Sequence, residues 1–187
     1  GGTGTARRFY NVSFTGAGNK TLVTDTMLVS NAMTFTSGKL VTTSSAILRF
    51  TSSTTATGMT DNSFVSGPML IPYSTITASK VFVIGKGSTY RPITLTLTTP
   101  SSPLVKMEVF NSNPAGSTDG TIAAISNVRY YQYSIVSGSA TTGTAGIQYG
   151  ADDGVGTTLS NTLVVGQATT SNGAYSSLGQ SSLIGSL

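Results

Sequence analysis

The chain has no cysteine, no histidine and no tryptophan, and only six of its 187 residues are aspartate or glutamate. Without histidine there is no Ser-His-Asp triad and no imidazole metal ligand, and no side chain has an unperturbed pKa near neutrality. Without cysteine, no disulfide bond can staple the fold. These absences exclude most enzymatic chemistry, and we therefore predict a protein that is not an enzyme and has no catalytic residues.

Charged side chains are scarce as well. They make up 9% of the residues, against about 25% in ordinary globular domains. Ser and Thr together account for about a third of the chain, and Thr is enriched in β-strands. Because hydroxyls and amides must then keep the surface soluble, the composition favours an extracellular or cell-surface location over a crowded cytosol.

Two classes of partner are disfavoured by the charge and hydropathy patterns. The ten basic residues give a net charge of +4, but Arg7-Arg8 is their only adjacent pair, and nucleic-acid binding usually needs a basic stripe. The longest purely apolar run, Val81 to Ile84, is far too short for a membrane span. Since Gly1 to Gly4 show no signal-peptide pattern, we expect a mature or excised piece of a longer protein.

A weak internal repeat occupies the first third of the sequence. Val12-Ser13-Phe14-Thr15 is echoed by Met33-Thr34-Phe35-Thr36, 21 residues later, and Leu22-Val23-Thr24 by Leu40-Val41-Thr42, 18 residues later. A period near 20 residues with alternating apolar positions is typical of a β-solenoid, whose coils bury their apolar faces by stacking. Two short hairpins of similar composition remain the alternative, since only two copies are visible.

The hydroxyl-rich run 51–63 contains almost nothing that could face a core, and we place a boundary there, between units 1–57 and 58–187. Beyond it, short apolar segments alternate with Gly, Pro and Asn, which predicts an antiparallel, immunoglobulin-like β-sandwich. The segments are Phe64–Pro72, Lys80–Ile84, Pro92–Thr99, Leu104–Phe110, Val128–Val136, Thr144–Tyr149, Thr162–Gln167 and Ala174–Leu178. We therefore predict an all-β fold, with short solenoid-like coils followed by the sandwich.

Several motifs carry a family resemblance. They are Asn62-Ser63-Phe64-Val65-Ser66-Gly67-Pro68-Met69, Val81-Phe82-Val83-Ile84-Gly85-Lys86-Gly87 with Tyr90-Arg91-Pro92, then Arg129-Tyr130-Tyr131, Asp152-Asp153-Gly154 and Leu178-Gly179. In this order they resemble a module of large, repetitive, secreted surface proteins of Bacteroidota. Residues 1–50 resemble the coils that often precede that module. Tyr131 stands where that family commonly has Trp, which weakens the case for a sugar-stacking platform.

The resemblance implies an adhesin-like surface protein exported by type IX secretion, with no catalytic residues. We accordingly predict a structural or adhesive module of an extracellular surface protein or filament, joined end to end with neighbouring copies or modules. The alternative is a carbohydrate-binding module, in which Tyr131 and Tyr133 share one face of a strand and bind glycans. An enzyme fragment is the third and weakest reading.

Four further candidates complete the prediction. Asp152 and Asp153 could hold a calcium ion, but a solvated turn explains them better because an ion usually needs more carboxylates, and no other cofactor is expected. Thr26, within Asp25-Thr26-Met27, resembles the O-glycosylation pattern of the Bacteroidota group. Phe9, Val12 and Phe14 would line an assembly interface, because an open solenoid end exposes backbone donors and acceptors that something must cover. Gly85-Lys86-Gly87-Ser88 lacks the spacing of a phosphate-binding loop and predicts a tight turn.

Overall fold

A computed structural model describes residues 6–153 and 163–181, and within these ranges the protein is all-β, as predicted. Its only helical element among the described residues is a single 3-10 turn, Ala151–Asp153. The strands, in chain order, are β1 (Arg7–Phe14), β2 (Lys20–Thr21), β3 (Thr26–Phe35), β4 (Leu40–Val41), β5 (Ile47–Phe50), β6 (Thr55–Thr57), β7 (Val65–Ser66), β8 (Met69–Pro72), β9 (Ala78–Phe82), β10 (Ile84–Lys86), β11 (Thr89–Tyr90), β12 (Ile93–Leu97), β13 (Pro100–Phe110), β14 (Ser117–Thr118), β15 (Tyr130–Ala140), β16 (Gly143–Ile147), β17 (Gly166–Gln167) and β18 (Ala174–Ser177).

The first part of the chain stacks as coils of a solenoid, which confirms that prediction. Strands β1, β3, β5 and β8 are parallel neighbours in a seven-stranded sheet, in which β6 also pairs with β3. Strands β2, β4, β7 and β10 are parallel neighbours in a second, five-stranded sheet. Each coil therefore contributes one strand to each sheet, and the apolar side chains between the sheets are buried by stacking.

Of the two predicted repeat pairs, the first has the predicted offset between paired residues, and the offset predicted for the second is wrong by two residues. Val12 pairs with Met33, and the ring of Phe14 stacks on that of Phe35 with centroids 5.6 Å apart. In the second sheet, however, Lys20 pairs with Leu40, an offset of 20 rather than 18. The corner after β1 (15–19) is one residue longer than the corner after β3 (36–39), and a match of residue types along the sequence does not reveal that difference.

The second part of the chain is antiparallel, but an immunoglobulin-like sandwich is not confirmed. Strand β13 pairs antiparallel with the coil strand β8, and β15 pairs antiparallel with β13, so the coil sheet continues into this part. A separate antiparallel sheet has the order β16-β12-β9, and a small one has the order β14-β18-β17. Because β4 also pairs with β7, hydrogen-bonded ladders cross the predicted boundary at residues 57 and 58. The division into 1–57 and 58–187 stays a prediction.

A single apolar cluster joins the coils to the antiparallel part. Val29, Phe35 and Leu48 of the coils belong to the same buried cluster as Phe82 of β9 and Val109 of β13. Since both parts share one core and one sheet, loss of packing in either part weakens the other.

The predicted segment Phe64–Pro72 is divided by a corner at Gly67-Pro68, between β7 and β8. Gly67 has φ 131°, and a Cβ at this position would clash with the carbonyl oxygen of Thr42 in the neighbouring coil. The Thr42 hydroxyl in turn donates to the carbonyl oxygen of Pro68 at 2.7 Å and is buried. The corner therefore packs closely against the preceding coil, and only glycine fits at position 67 without strain.

We expect Gly67→Ala to lower the free energy of unfolding by at least about 2 kcal/mol, since it adds a steric clash to an unfavourable φ. Gly18→Ala is the matched control, because Gly18 also has a positive φ of 87° but has nothing within 4 Å of an added Cβ. The control should cost only about 1 kcal/mol of backbone strain. Urea denaturation followed by circular dichroism measures both. Equal losses would contradict the close contact at Thr42.

Candidate functional site

The most densely charged site in the described residues is formed by two arginines and two aspartates. Arg91 lies between β11 and β12, and Arg129 immediately precedes β15. Asp152 and Asp153 lie on the 3-10 turn Ala151–Asp153. Strand ends from two different sheets therefore converge on one turn, which we call the Arg–Asp cluster.

Each arginine contacts both aspartates. Arg91 Nε lies 3.2 Å from Asp153 Oδ2, and its Nη2 pairs with Asp152. Arg129 Nη2 lies 2.8 Å from Asp152 Oδ2, and its Nη1 pairs with Asp153. The two charges of each sign balance, and all four carboxylate oxygens accept from a guanidinium, a geometry in which paired charges tolerate burial.

Further hydrogen bonds fix the cluster in the fold. Arg129 Nε donates to Asn111 Oδ1 at 2.9 Å, next to the end of β13. The backbone N–H of Gly150 donates to Asp153 Oδ2 at 2.7 Å. The side chains of Arg129, Asp153 and Arg91 are only 6%, 9% and 11% exposed, whereas that of Asp152 is 40% exposed. The cluster is thus a largely desolvated clasp between the turn at 150–153 and two strand ends.

The electrostatics of Asp152 follow from this position. Partial desolvation raises the pKa of its carboxyl, but the hydrogen bonds and charges of Arg129 and Arg91 outweigh it and hold the pKa below the ordinary value of 3.8. The ionised form is therefore favoured in the folded state.

Stability should accordingly fall in acid. A carboxyl whose folded-state pKa is depressed contributes stability above its unfolded pKa, and that stability is lost as the pH falls through the folded value. We expect the unfolding temperature to drop as the pH is lowered from 5 to below 3.8. The Asp152→Asn variant should start lower and show a shallower decline. Parallel declines in the two proteins would contradict a depressed pKa at Asp152.

The structure brings the predicted calcium ligands Asp152 and Asp153 together, but it places them on arginines. Over residues 6–153 and 163–181, no group of three or more acidic, histidine or cysteine side chains could surround an ion. Gly154, the third residue of the predicted loop, lies outside the described residues. A calcium ion would have to displace two guanidinium groups from the same oxygens, and the arrangement favours an ion-pair clasp over a metal site.

We therefore expect that neither calcium nor a chelator changes the stability. Differential scanning fluorimetry with millimolar CaCl₂ and with EDTA should give unfolding temperatures that agree within about 1 °C, because an ion that binds only the folded state would raise the unfolding temperature. Magnesium at the same concentration controls for ionic strength. A calcium-specific increase of several degrees would restore the metal reading.

The two predicted sugar-binding tyrosines lie on the core face of β15. Tyr131 pairs across the sheet with Val109, which is fully buried, and packs on the core, where burial raises the pKa of its hydroxyl. Tyr133 is 50% exposed and accepts a hydrogen bond from Gln167 Nε2 at 3.1 Å. The pair shares a face, as the alternation of strand residues predicts, yet only Tyr133 is accessible to a ligand.

The third tyrosine of this run faces the other way. Tyr130 stacks on Phe110 of β13, with ring centroids 4.9 Å apart and planes inclined by 10°. Lys86 Nζ lies 5.6 Å from the centroid of Phe110. Two rings standing side by side on adjacent strands cover each other's faces, which sugar rings would need for stacking.

Thr26, the predicted glycosylation acceptor, is the first residue of β3 and is half-buried. It pairs with Ile47 in the next coil. The preceding Asp25 has φ 65° and lies 3.9 Å from Arg7 Nε. The acceptor therefore sits at a strand start beside a backbone turn, and its modification stays a prediction.

The predicted interface residues lie on the outermost coil strand, β1. Phe9 is 43% exposed, while Val12 and Phe14 are half-buried against the core cluster. Strand β1 is the terminal strand of the seven-stranded sheet, and β2 is the terminal strand of the five-stranded sheet at the same end. In the part of the chain that the structure describes, no strand covers either outer edge. The three residues thus lie on an edge strand of the coils, and their role in assembly stays a prediction.

A cleft of about 450 Å³ lies beside the Arg–Asp cluster. Its lining includes Tyr90, Arg91, Tyr149 and Asp61, whose Oδ1 accepts the backbone N–H of Tyr90 at 2.8 Å. Burial raises the pKa of Tyr90 to about 12. None of these four side chains forms a nucleophile–base pair. Within the described ranges no helix is both long and apolar enough to cross a membrane.

The sequence does not predict the Arg–Asp cluster, because Arg91 and Arg129 lie far from Asp152 and Asp153 along the chain. The available signal was the scarcity of carboxylates, since two of only six are adjacent in the sequence. Their partners are 61 and 23 residues away, and no pattern along the chain reveals such a convergence.

Comparisons of the chain with protein-family models, with curated proteins and with solved structures give no match. The coils, their edges and the Arg–Asp cluster are therefore the features that bear on function.

Proposed function

We propose that this protein is a non-enzymatic structural or adhesive module of an extracellular surface protein or filament, and that it joins end to end with neighbouring units. The observation that carries the proposal is the stack of parallel coils, whose terminal strands β1 and β2 each have one edge that no described strand covers. Strand edges present unpaired N–H and C=O groups, and a further coil would satisfy them in the same way that each coil satisfies the next.

The outermost coil continues the internal side-chain ladders. Asn31 Nδ2 donates to Asn11 Oδ1 at 2.8 Å, and the Ser30 hydroxyl donates to the carbonyl oxygen of Phe9 at 3.0 Å. One coil further in, the Thr51 hydroxyl donates to the carbonyl oxygen of Ser30 at 3.1 Å. Asn11 retains its own amide donors for a partner on the far side, as stacked coils require.

An extracellular location is part of the proposal and is supported by composition. Charged residues make up only 9% of the chain, so hydroxyl and amide groups must do most of the work of keeping the surface soluble. The resemblance to repetitive, type IX-secreted surface proteins of Bacteroidota points in the same direction.

Analytical ultracentrifugation and negative-stain electron microscopy over a range of concentrations test the proposal. We expect elongated or end-to-end associated particles whose length increases with concentration, because open edges pair by mass action. Compact, separate particles at all concentrations would contradict end-to-end joining.

The alternative, a carbohydrate-binding module, has one observation in its favour, the half-exposed Tyr133 beside the Gln167 amide. If it is right, a glycan array should show binding that Tyr133→Ala abolishes. Tyr130→Ala is the control, because Tyr130 stacks on Phe110 on the opposite face. An array without binding by the parent protein would remove this alternative.

A further inference from the structure

The large sheet has a second open edge, opposite β1. Its strand order is β1-β3-β5-β8-β13-β15, so β15 is the terminal strand at the other side. Strand β15 has 11 residues and pairs only with β13 among the described strands. Its residues 132–139 are all exposed, on both faces of the strand. The sheet thus ends in two long strands, each with one edge that no described strand covers.

Exposed apolar side chains are concentrated on these two strands. The described residues include ten exposed large hydrophobic side chains, and five of them lie on β1 or β15. These five are Phe9 (43%), Tyr10 (69%), Tyr133 (50%), Ile135 (37%) and Val136 (55%). Natural edge strands usually carry charges that prevent pairing, whereas β15 carries none. If β1 of one copy paired with β15 of another, Arg7 and Arg8 would therefore face no like charge.

The two edges also run in the same direction. Strands β1, β3, β5 and β8 are parallel, and two successive antiparallel pairings, β8 with β13 and β13 with β15, restore that direction in β15. A copy placed with β15 beside β1 of the next copy would extend the parallel coil ladder without reversal.

The ladder of paired residues shows which positions on β1 and β15 lie at the same height along the sheet. The register carries one row across the sheet through Arg8, Leu28, Arg49, Leu70, Lys106 and Ser134. Phe9 and Ile135 each follow one residue later, on the core face, where they pair with the buried Val29 and Val105. Tyr10 and Val136 come next, each at a register irregularity of its strand where it has no partner across the sheet. Pairing in this register puts the apolar Phe9 opposite the apolar Ile135 on the core face and brings the next residues, Tyr10 and Val136, close together.

From these observations we infer that a second copy of this chain is the partner of β1, and that it binds through β15 in a parallel, head-to-tail continuation of the sheet. The inference rests on the proposed end-to-end function and names the two surfaces that meet. Because the two surfaces differ, the contact is heterologous, and repetition produces an open filament rather than a closed dimer.

Engineered cysteines test the pairing cleanly, since the chain has none of its own. Tyr10→Cys and Val136→Cys each replace a well-exposed side chain and should fold normally. The single variants are oxidised separately and as an equimolar mixture, and products are separated by non-reducing electrophoresis. We expect the mixed disulfide to exceed either homodimer about tenfold, which corresponds to about 1.4 kcal/mol of preference. A chain carrying both cysteines should give a ladder of multimers.

Charge substitutions provide a second measurement. Phe9→Lys or Ile135→Lys should abolish the association seen by ultracentrifugation, because a charge on either edge opposes pairing. Ile76→Lys is the matched control, since Ile76 is 70% exposed and lies outside the strands, and it should leave association unchanged.

Each contrary outcome has a distinct meaning. Predominant Tyr10→Cys homodimers would show antiparallel pairing of two β1 strands and would overturn the inference. Association that persists without mixed disulfides and despite both lysine variants would overturn it too, while leaving the proposed end-to-end function intact. A parent protein that does not associate at any concentration would overturn both.

Discussion

Arg129→Gln should lower the free energy of unfolding by about 3–5 kcal/mol, the usual cost of removing one partner of a buried ion pair. The side chain of Arg129 is 6% exposed and contacts Asp152, Asp153 and Asn111. Its removal leaves the 9%-exposed carboxylate of Asp153 with Arg91 as its one remaining charged partner. Chemical denaturation followed by circular dichroism measures the loss.

Arg8→Gln is the matched control, because Arg8 is exposed on β1, and it should change stability by no more than about 0.5 kcal/mol. The double variant Arg129→Gln with Asp153→Asn separates the ion pair from general disruption. It should be less destabilised than the sum of the two single variants, because both belong to one network. Additive losses, or a loss at Arg129 no larger than at Arg8, would show that the cluster is not formed in solution.

The Arg–Asp cluster fixes the position of one turn relative to two strand ends. The turn at 150–153 has little apolar surface of its own, and it is joined to the strand ends at Arg91 and Arg129 by charge-assisted hydrogen bonds. Such bonds are directional and about twice as strong as neutral ones. They position one turn against two sheets, in a protein that contains no disulfide bond.

Much of the fold could be predicted from the sequence, because the formation of individual strands depends largely on local patterns of residues. Alternation around Val12 and Phe14 identified β1, and the positive φ of 61° at Gly87 produces the predicted tight turn between β10 and β11. Whether β13 would pair with a coil strand or close a separate sandwich depends on contacts across the sheet, such as Met107 with Met69. Those contacts are long-range, and no local pattern of residues specifies them.

The candidate site was predictable only in part, for the same reason. The uncovered edge at Phe9, Val12 and Phe14 follows from the repeat itself, because each coil buries its apolar side chains and pairs its strands only by stacking on a neighbouring coil. Tyr131 illustrates the opposite case. Alternation placed it on the same face as Tyr133, but the position of β13 and its buried Val109 decided that this face is the core at Tyr131.

The coil stack itself predicts the second large effect, a difference between two equivalent phenylalanines. Phe35→Ala should cost about 3–5 kcal/mol, because Phe35 is 2% exposed and its removal leaves a cavity between coils. Phe14→Ala, one coil further out, should cost only about 1–2 kcal/mol, because Phe14 stacks on Phe35 from one side and is half-buried.

Denaturation of dilute, unassociated protein measures both variants, and the gradient between them reports where the stack ends. When the same measurements are made on associated protein, the cost of Phe14→Ala should rise towards that of Phe35→Ala, because a neighbouring unit then covers the ring. Equal costs at both positions in dilute protein would mean that Phe14 is already enclosed. An enclosed Phe14 would remove the open coil end on which end-to-end joining depends.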